Sequence, residues 1–359
     1  MRELKPTPLT IPLSWIYGGV AALYHGAYDR GFQKPIDLGP PLLSVGNLVV
    51  GGTGKTPIVL ALSQALLKRD LVPAILTRGY GGSRSGLLQD GRWETNEPAG
   101  PEAGDEPLFL SRSLPGVTIG VGKDRVLMGR NVLKRRPVDV FLLDDGFQHR
   151  RLVRRANVLL LDAAHPFGNG WLLPAGPLRE SPKAVRRAGA ILLTGGPASE
   201  TAHASLGKTR AQVATTRSHL DHFETLSGDP RQEPRAPVIA VAGIARPERF
   251  LRLLKAHGLE VVGEKRFPDH HAYTQPEVRE LEQQAVKAHA ALVTTAKDAV
   301  RLSALTTSTA DWCVASLRID LEGGWDAFLT QLLPELSRQK EGGAREPLPE
   351  IVPGDLRKF

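Results

Sequence analysis

Short apolar runs alternate with segments of helical spacing through most of the chain. Leu42–Val45, Val72–Leu76, Val117–Val121, Val138–Leu143, Val158–Leu161 and Ala190–Leu193 are runs of strand length. Runs that are apolar at nearly every position predict parallel strands covered on both faces. Between them, Pro57–Lys68, Leu108–Ser113 and Asp124–Lys134 have the spacing of helices, and residues 83–104 read as a polar loop or hairpin. The order predicts an α/β fold with a three-layer α/β/α core. From Thr194 to about Pro237 the pattern dissolves into polar sequence. A second α/β run then follows, with strands expected at Val238–Val241, Leu259–Gly263, Ala291–Thr294 and Trp312–Leu317. Helices are expected near 247–257, 276–288 and 325–336. The expected organisation is an N-terminal segment (1–40), a core domain (41–220), a smaller α/β domain (221–340) and a polar, Pro-rich, flexible tail (341–359).

The N-terminal segment adds a different signal. Ile11 to Tyr28 contains no Asp, Glu, Lys or Arg, and mixes Trp15, Tyr17, Tyr24 and Tyr28 with aliphatic residues. Gly18, Gly19 and Gly26 dilute it below what a full span requires. Its aromatic residues suit a helix at headgroup level. A helix buried on the protein is the competing expectation. The formal net charge of +8 favours anionic partners of some kind. Arginine clusters such as Arg150, Arg151, Arg154 and Arg155 lack aromatic interleaving, so nucleic acid is not expected. One cysteine, Cys313, excludes an internal disulfide and a cysteine-based zinc site.

Candidate chemistry begins after the first strand. Ser44 to Pro57 reads Ser-Val-Gly-Asn-Leu-Val-Val-Gly-Gly-Thr-Gly-Lys-Thr-Pro, a glycine-rich turn between a strand and a helix. Backbone N–H groups of such a turn cradle phosphate oxygens. Gly51, Gly52, Thr53 and Gly54 would form the cradle, Lys55 would reach the β- and γ-phosphates, and the Thr56 hydroxyl would meet Mg²⁺. Val49 stands where the strict pattern has glycine. The apolar run Val138–Leu143 ends in Asp144 and Asp145, which sets carboxylates at the carboxyl edge of the sheet, beside the metal. Together these motifs predict a P-loop NTPase-like fold that binds ATP or GTP with Mg²⁺. They do not identify the acceptor.

Further stretches have no general P-loop explanation. These are Thr77–Gly82, Gly104–Pro107, the run Asp-Asp-Gly-Phe-Gln-His-Arg-Arg at 144–151, Pro174–Glu180 and Phe267–His271. With Gly46-Asn47 and the phosphate loop they resemble the tetraacyldisaccharide 4′-kinase family, the lipid A 4′-kinases of Gram-negative bacteria. The resemblance runs in order from about residue 11 to residue 302. It implies an ATP-dependent lipid kinase that phosphorylates the 4′-hydroxyl of a tetraacylated glucosamine disaccharide 1-phosphate. It also implies a peripheral enzyme on the cytoplasmic face of the inner membrane, and a two-stranded linker between core and smaller domain. No stable protein partner is expected.

The resemblance also assigns roles. Asp105 is the expected base for the hydroxyl proton, supported by His270. By residue type alone, Asp105 better suits the N-cap of a helix beginning near Leu108, and it is the resemblance that favours the base. Thr56, Asp144, Asp145 and Glu180 are the candidates for Mg²⁺ or its waters, since hard cations prefer oxygen. Arg78, Arg179, Gln148 and His149 are candidates for phosphate contact or acceptor orientation, with Arg179 neutralising transition-state charge. Two departures stand out. The family's Thr-Glu-Lys-Asp appears as Thr295-Ala296-Lys297-Asp298, and His271 follows His270, which leaves two histidines for one position.

Two other classes share the phosphate-loop fold but should differ at particular residues. A regulatory GTPase or metallochaperone should carry Asn-Lys-x-Asp, whereas Thr294–Asp298 reads Thr-Thr-Ala-Lys-Asp. A binding protein with a degenerate nucleotide site should have lost Lys55, Thr56, Asp144 or Asp145, all of which are present.

Overall fold

The computed structural model describes residues 6–337 apart from 53, 198–201, 203, 205, 208, 236, 304 and 307–309. The expected tail at 341–359 and the loop residue Thr53 lie outside the described residues. In chain order the strands are β1 (Leu42–Asn47), β2 (Pro73–Thr77), β3 (Gly86–Gln89), β4 (Arg92–Trp93), β5 (Thr118–Val121), β6 (Val140–Leu143) and β7 (Ala156–Asp162). There follow β8 (Ala190–Thr194), β9 (Gln212–Glu224), β10 (Pro230–Arg231), β11 (Val238–Ala242), β12 (Val261–Arg266), β13 (Ala291–Thr295) and β14 (Trp312–Leu321).

They form one continuous sheet in the order β12-β11-β13-β14-β9-β8-β7-β1-β6-β2-β5-β3-β4, with β10 paired to β9. From β8 to β5 the strands are parallel. Every residue of β1, β2, β5 and β6 is buried, as fully apolar runs require in a sheet covered on both faces. The hairpin β3–β4 adds an antiparallel edge beside β5. In the second half β12, β11, β13 and β14 are again parallel.

The polar reading of 195–237 needs correction. It contains β9, a strand of 13 residues that joins the two halves. Its first residues pair in parallel with β8, and Thr216 to Glu224 pair antiparallel with β14. A bulge opposite Ser316 and Leu317 breaks the two-residue alternation. The buried residues Thr216, Leu220 and Phe223 therefore fall at irregular spacing, which hides the strand from a periodicity reading.

Helix α1 (Thr10–Asp29) precedes the core, and α2 (Lys55–Leu67), α3 (Asp105–Ser113) and α4 (Arg125–Leu133) cover it. The helix Trp325–Leu332 returns from the second half. Its Phe328, Leu329 and Leu332 enter the same buried cluster as Val59, Leu62 and Leu66 of α2. The two halves are also tied by charge. Asp162, at the end of β7, pairs with Arg246 and Arg249 of the second half. Among the described residues no helix is long and apolar enough to cross a membrane. α1 buries Ser14 alone and exposes Leu13, Trp15, Ile16, Val20 and Leu23.

Candidate functional site

β1 lies between β6 and β7, where successive strands depart in opposite directions, and the loop after β1 opens into a crevice there. The expected glycine at position 49 is absent for a visible reason. Val49 is buried and bridges Leu178, the Val50 amide donates to the Pro177 carbonyl at 2.8 Å, and the Arg179 amide donates to Leu48 at 2.7 Å. This short ladder brings Arg179 alongside the loop. The left-handed backbone that the turn needs is supplied by Gly51 (φ 101°) and by Gly54 (φ 80°), the N-cap of α2. Lys55 and Thr56 then begin the helix. A Cβ on Gly52 would stand 2.7 Å from the Cβ of Ala245, so the loop lies directly against the second half. Between the halves is a cleft of about 1600 Å³, whose lining includes Lys55, Thr56, Arg78, Asp144, Asp145 and His270.

The carboxylates after β6 have distinct surroundings. Asp145 has φ 47°, a conformation costly for a residue with a Cβ. Arg179 Nη1 donates to both of its oxygens, at 3.0 and 2.9 Å, and Lys55 Nζ lies 3.5 Å away. Burial would raise its pKa, but Lys55 and Arg179 outweigh burial and hold it below the usual carboxylate range. Asp144 is buried. Its Oδ2 accepts from the Thr77 hydroxyl at 3.2 Å, while Oδ1 has no hydrogen-bond partner among the described residues. Burial, with Glu106 and Asp145 nearby, pushes Asp144 up to about 7.

Asp105 is not an N-cap. α3 begins at Asp105 itself, and Gly104 (φ 86°) is the capping position, without a side-chain cap bond. The Asp105 carboxylate is thereby free to reach the second half, where its Oδ2 lies 3.0 Å from His270 Nδ1 and 3.5 Å from Arg301 Nε. Burial opposes ionisation, but the bond to His270 and the charge of Arg301 prevail and lower its pKa. The same bond raises the pKa of His270. His270 has φ 59°, a second left-handed residue at the site. Its neighbour His271 instead meets Glu277 at 3.1 Å and stacks on Phe267.

Other expected residues fall nearby with different partners. Gln148 Nε2 donates to the Asn47 carbonyl at 2.9 Å and to Glu180 at 2.8 Å. His149 lines the cleft with a buried Nε2 that has no hydrogen-bond partner among the described residues, and burial with the charges of Arg125 and Arg154 lowers its pKa to about 4. Glu180 is bonded by Arg187 at 2.9 and 2.7 Å, by Gln148 and by His25. Its partners are thus a guanidinium and an amide of the core and an imidazole of α1 rather than the loop hydroxyl.

Two residues outside the expected set also meet in the cleft. Glu106, next to Asp105, accepts from the Thr56 hydroxyl at 3.2 Å and meets Lys297 Nζ at 2.7 Å. The Gly-Asp-Glu-Pro stretch contained it, but nothing local separates its role from that of Asp105. Lys297 lies in the Thr-Ala-Lys-Asp stretch. There Thr295 caps the helix Ala296–Leu302 and Asp298 accepts from the Tyr273 hydroxyl, so the motif both builds the turn and sends a cation across the cleft. Ala296, at the family's glutamate position, lines the cleft.

An orphaned buried carboxylate oxygen on Asp144, with the Thr56 hydroxyl and Glu106 beside it, is an oxygen set that suits Mg²⁺. Among the described residues no group of three or more His, Cys, Asp or Glu is arranged to hold a metal by itself. Mg²⁺ ordinarily completes its shell with water and substrate phosphates, so a partial protein set fits that ion.

Known proteins resemble this chain over most of its length. The sequence matches the family model for tetraacyldisaccharide-1-P 4′-kinase over residues 7–334. A relative from Geobacter sulfurreducens named tetraacyldisaccharide 4′-kinase is 43% identical over 307 residues, covering 82% of this chain and 84% of its own. A relative of the same name from Anaeromyxobacter sp. (strain Fw109-5) is 41% identical over 344 residues, covering 92% of each chain. A crystal structure of LpxK from Aquifex aeolicus in complex with ATP aligns with a TM-score of 0.72 at 30% identity, covering 91% of this chain and 98% of that one.

Proposed function

The chain belongs to the tetraacyldisaccharide-1-P 4′-kinase family, and from that membership we propose the reaction and the residues that perform it. The chain is a kinase that uses ATP. It transfers the γ-phosphate to the 4′-hydroxyl of a tetraacylated glucosamine disaccharide 1-phosphate and forms lipid IVA, a step of lipid A biosynthesis.

One observation carries the assignment of residues. Asp105 and Glu106, successive residues in the first turn of α3, have separate partners. Asp105 meets His270, and Glu106 meets the Thr56 hydroxyl of the phosphate loop. A base and a loop contact are thus held one residue apart by a rigid helix. The 4′-hydroxyl is a weak nucleophile, and its proton passes to Asp105 as the oxygen attacks the γ-phosphorus and the bond to the bridging oxygen breaks, releasing ADP. His270 donates through Nδ1 to the other side of that carboxylate and fixes its orientation. Lys55 and Arg179, both on Asp145, supply positive charge to the phosphates. Thr56, Glu106 and Asp144 would hold Mg²⁺, which when bound offsets phosphate charge.

The acceptor is a lipid, and α1 supplies a surface for it. Its exposed Leu13, Trp15, Ile16, Val20 and Leu23 would lie in the headgroup region of the cytoplasmic face of the inner membrane, with the protein peripheral. The test of the reaction is direct. γ-Labelled ATP is incubated with the monophosphorylated disaccharide lipid, and the label is mapped. Label at the 4′ position is expected; label released only as inorganic phosphate would contradict the proposal.

A further inference from the structure

The inner face of α1 makes contacts that a membrane anchor does not require. Ser14 Oγ donates to the Leu172 carbonyl at 2.9 Å, and the Tyr17 hydroxyl donates to the Arg179 carbonyl at 3.0 Å. His25 Nε2 lies 3.0 Å from Glu180 Oε2. These positions share one side of the helix, whereas Leu13, Ile16, Val20 and Leu23 line the exposed side. A Cβ on Gly18 would stand 2.7 Å from Leu172, so helix and segment are in close contact. Arg150 fixes the end of the helix, donating to the His25 carbonyl at 3.0 Å and to Asp29 at 2.6 Å.

All the targets lie on the segment from Leu172 to Glu180, which ends beside the phosphate loop. Arg179 is held there at three points. Its amide bonds Leu48, its side chain bonds Asp145, and its carbonyl bonds Tyr17 of α1. Glu180 is likewise held by Arg187 and Gln148 from the core and by His25 from α1. Burial lowers the pKa of His25 against the pull of Glu180.

We propose that Tyr17 and His25 are positioning residues for phosphoryl transfer: α1 seats Arg179 against the phosphate loop by holding its carbonyl and the side chain of the adjacent Glu180, besides presenting its outer face to lipid. The inference rests on the kinase reading above, in which Arg179 faces the transferred group. α1 then belongs to the site as well as to the surface, and the two roles separate by face. The outer face sets where the protein works, and the inner face sets how well Arg179 is aimed.

The test uses the full chain with Tyr17→Phe, His25→Leu and His25→Gln. Tyr17→Phe keeps the ring and removes only the donor. Three quantities are read: steady-state constants with ATP and lipid, co-sedimentation with vesicles of phosphatidylethanolamine and phosphatidylglycerol, and hydrogen exchange of the segment 172–180. Tyr17→Phe and His25→Leu are expected to lower kcat about fivefold, the scale of one lost hydrogen bond. The KM values and vesicle binding are expected to stay, and exchange in 172–180 to quicken. His25→Gln, which keeps an N–H of similar reach, recovers most of the loss. Unchanged exchange, or quickened exchange with unchanged kcat, overturns the proposal. So does a rise in lipid KM alone, which would make Tyr17 an acceptor contact. A wild-type protein that leaves the lipid unphosphorylated sinks the kinase reading instead, and the exchange measurement still judges the contact between helix and segment.

Discussion

His270 Nδ1 lies 3.0 Å from Asp105 Oδ2, so a loop of the second half closes on the first turn of α3. The bond shifts both groups. His270 titrates above its ordinary value of 6.5, and Asp105 below the usual carboxylate range. Below the His270 pKa the pair is an ion pair, and the imidazolium charge makes Asp105 a poor base. As the pH rises through that pKa the charge is lost and the carboxylate becomes more basic.

The rate constant kcat/KM is therefore expected to rise with pH through an apparent pKa above 6.5. In His270→Gln that limb should vanish, with a rate lower by about 10- to 100-fold. A His270→Gln profile that keeps the limb would assign it to another group.

Lys297 and Glu106 form a second link between the halves, 2.7 Å apart. Lys297→Met leaves the Glu106 carboxylate without its cation, although the Thr56 hydroxyl remains. The expected loss is about 1–3 kcal/mol, less than for a fully buried pair because both side chains keep some access to water. Thermal unfolding reads it. Adding Glu106→Gln to Lys297→Met should restore part of the stability, and an unchanged melting temperature for the single variant would contradict the account.

Gly46 is needed for close approach rather than for an unusual φ. A Cβ there would stand 2.7 Å from both the Cβ and the amide nitrogen of Phe147. Gly46→Ala should push back the loop that carries Asp144 and Asp145, costing about 1–3 kcal/mol and lowering kcat. Stability and turnover both equal to wild type would show that the loop has room.

Ile16 is 65% and Leu23 73% exposed, on the side of α1 away from the core. The double change Ile16→Asp and Leu23→Asp should weaken vesicle binding by about tenfold or more while leaving the melting temperature unchanged. Full binding by the double variant would remove this face from the membrane surface.

Much of this architecture is legible in the sequence because it depends on local patterns. The apolar runs of β1 and β6 announce buried parallel strands, and the glycine spacing after β1 announces the phosphate loop. What escapes depends on long-range pairing. Asp105 and His270 are 165 residues apart in the chain, and Glu106 and Lys297 are 191 apart. No spacing rule connects such pairs. Asp105 also resembles a cap by residue type, and only the start of α3 at Asp105 removes that reading. Glu180 has the chemistry of a metal ligand, but its partners Arg187, Gln148 and His25 come from three parts of the chain that no local pattern connects. β9 was missed because a bulge destroys its alternation.

The central claim is that Asp105 and His270 act as one unit on the acceptor hydroxyl. A double-mutant cycle of Asp105→Asn and His270→Gln, read as kcat for transfer to the lipid with nucleotide binding monitored separately, tests it most directly. The account predicts that Asp105→Asn lowers kcat by about 100-fold or more, that adding His270→Gln lowers it little further, and that nucleotide still binds. Multiplied losses in the double variant, or an Asp105→Asn protein with near-normal kcat, would contradict it.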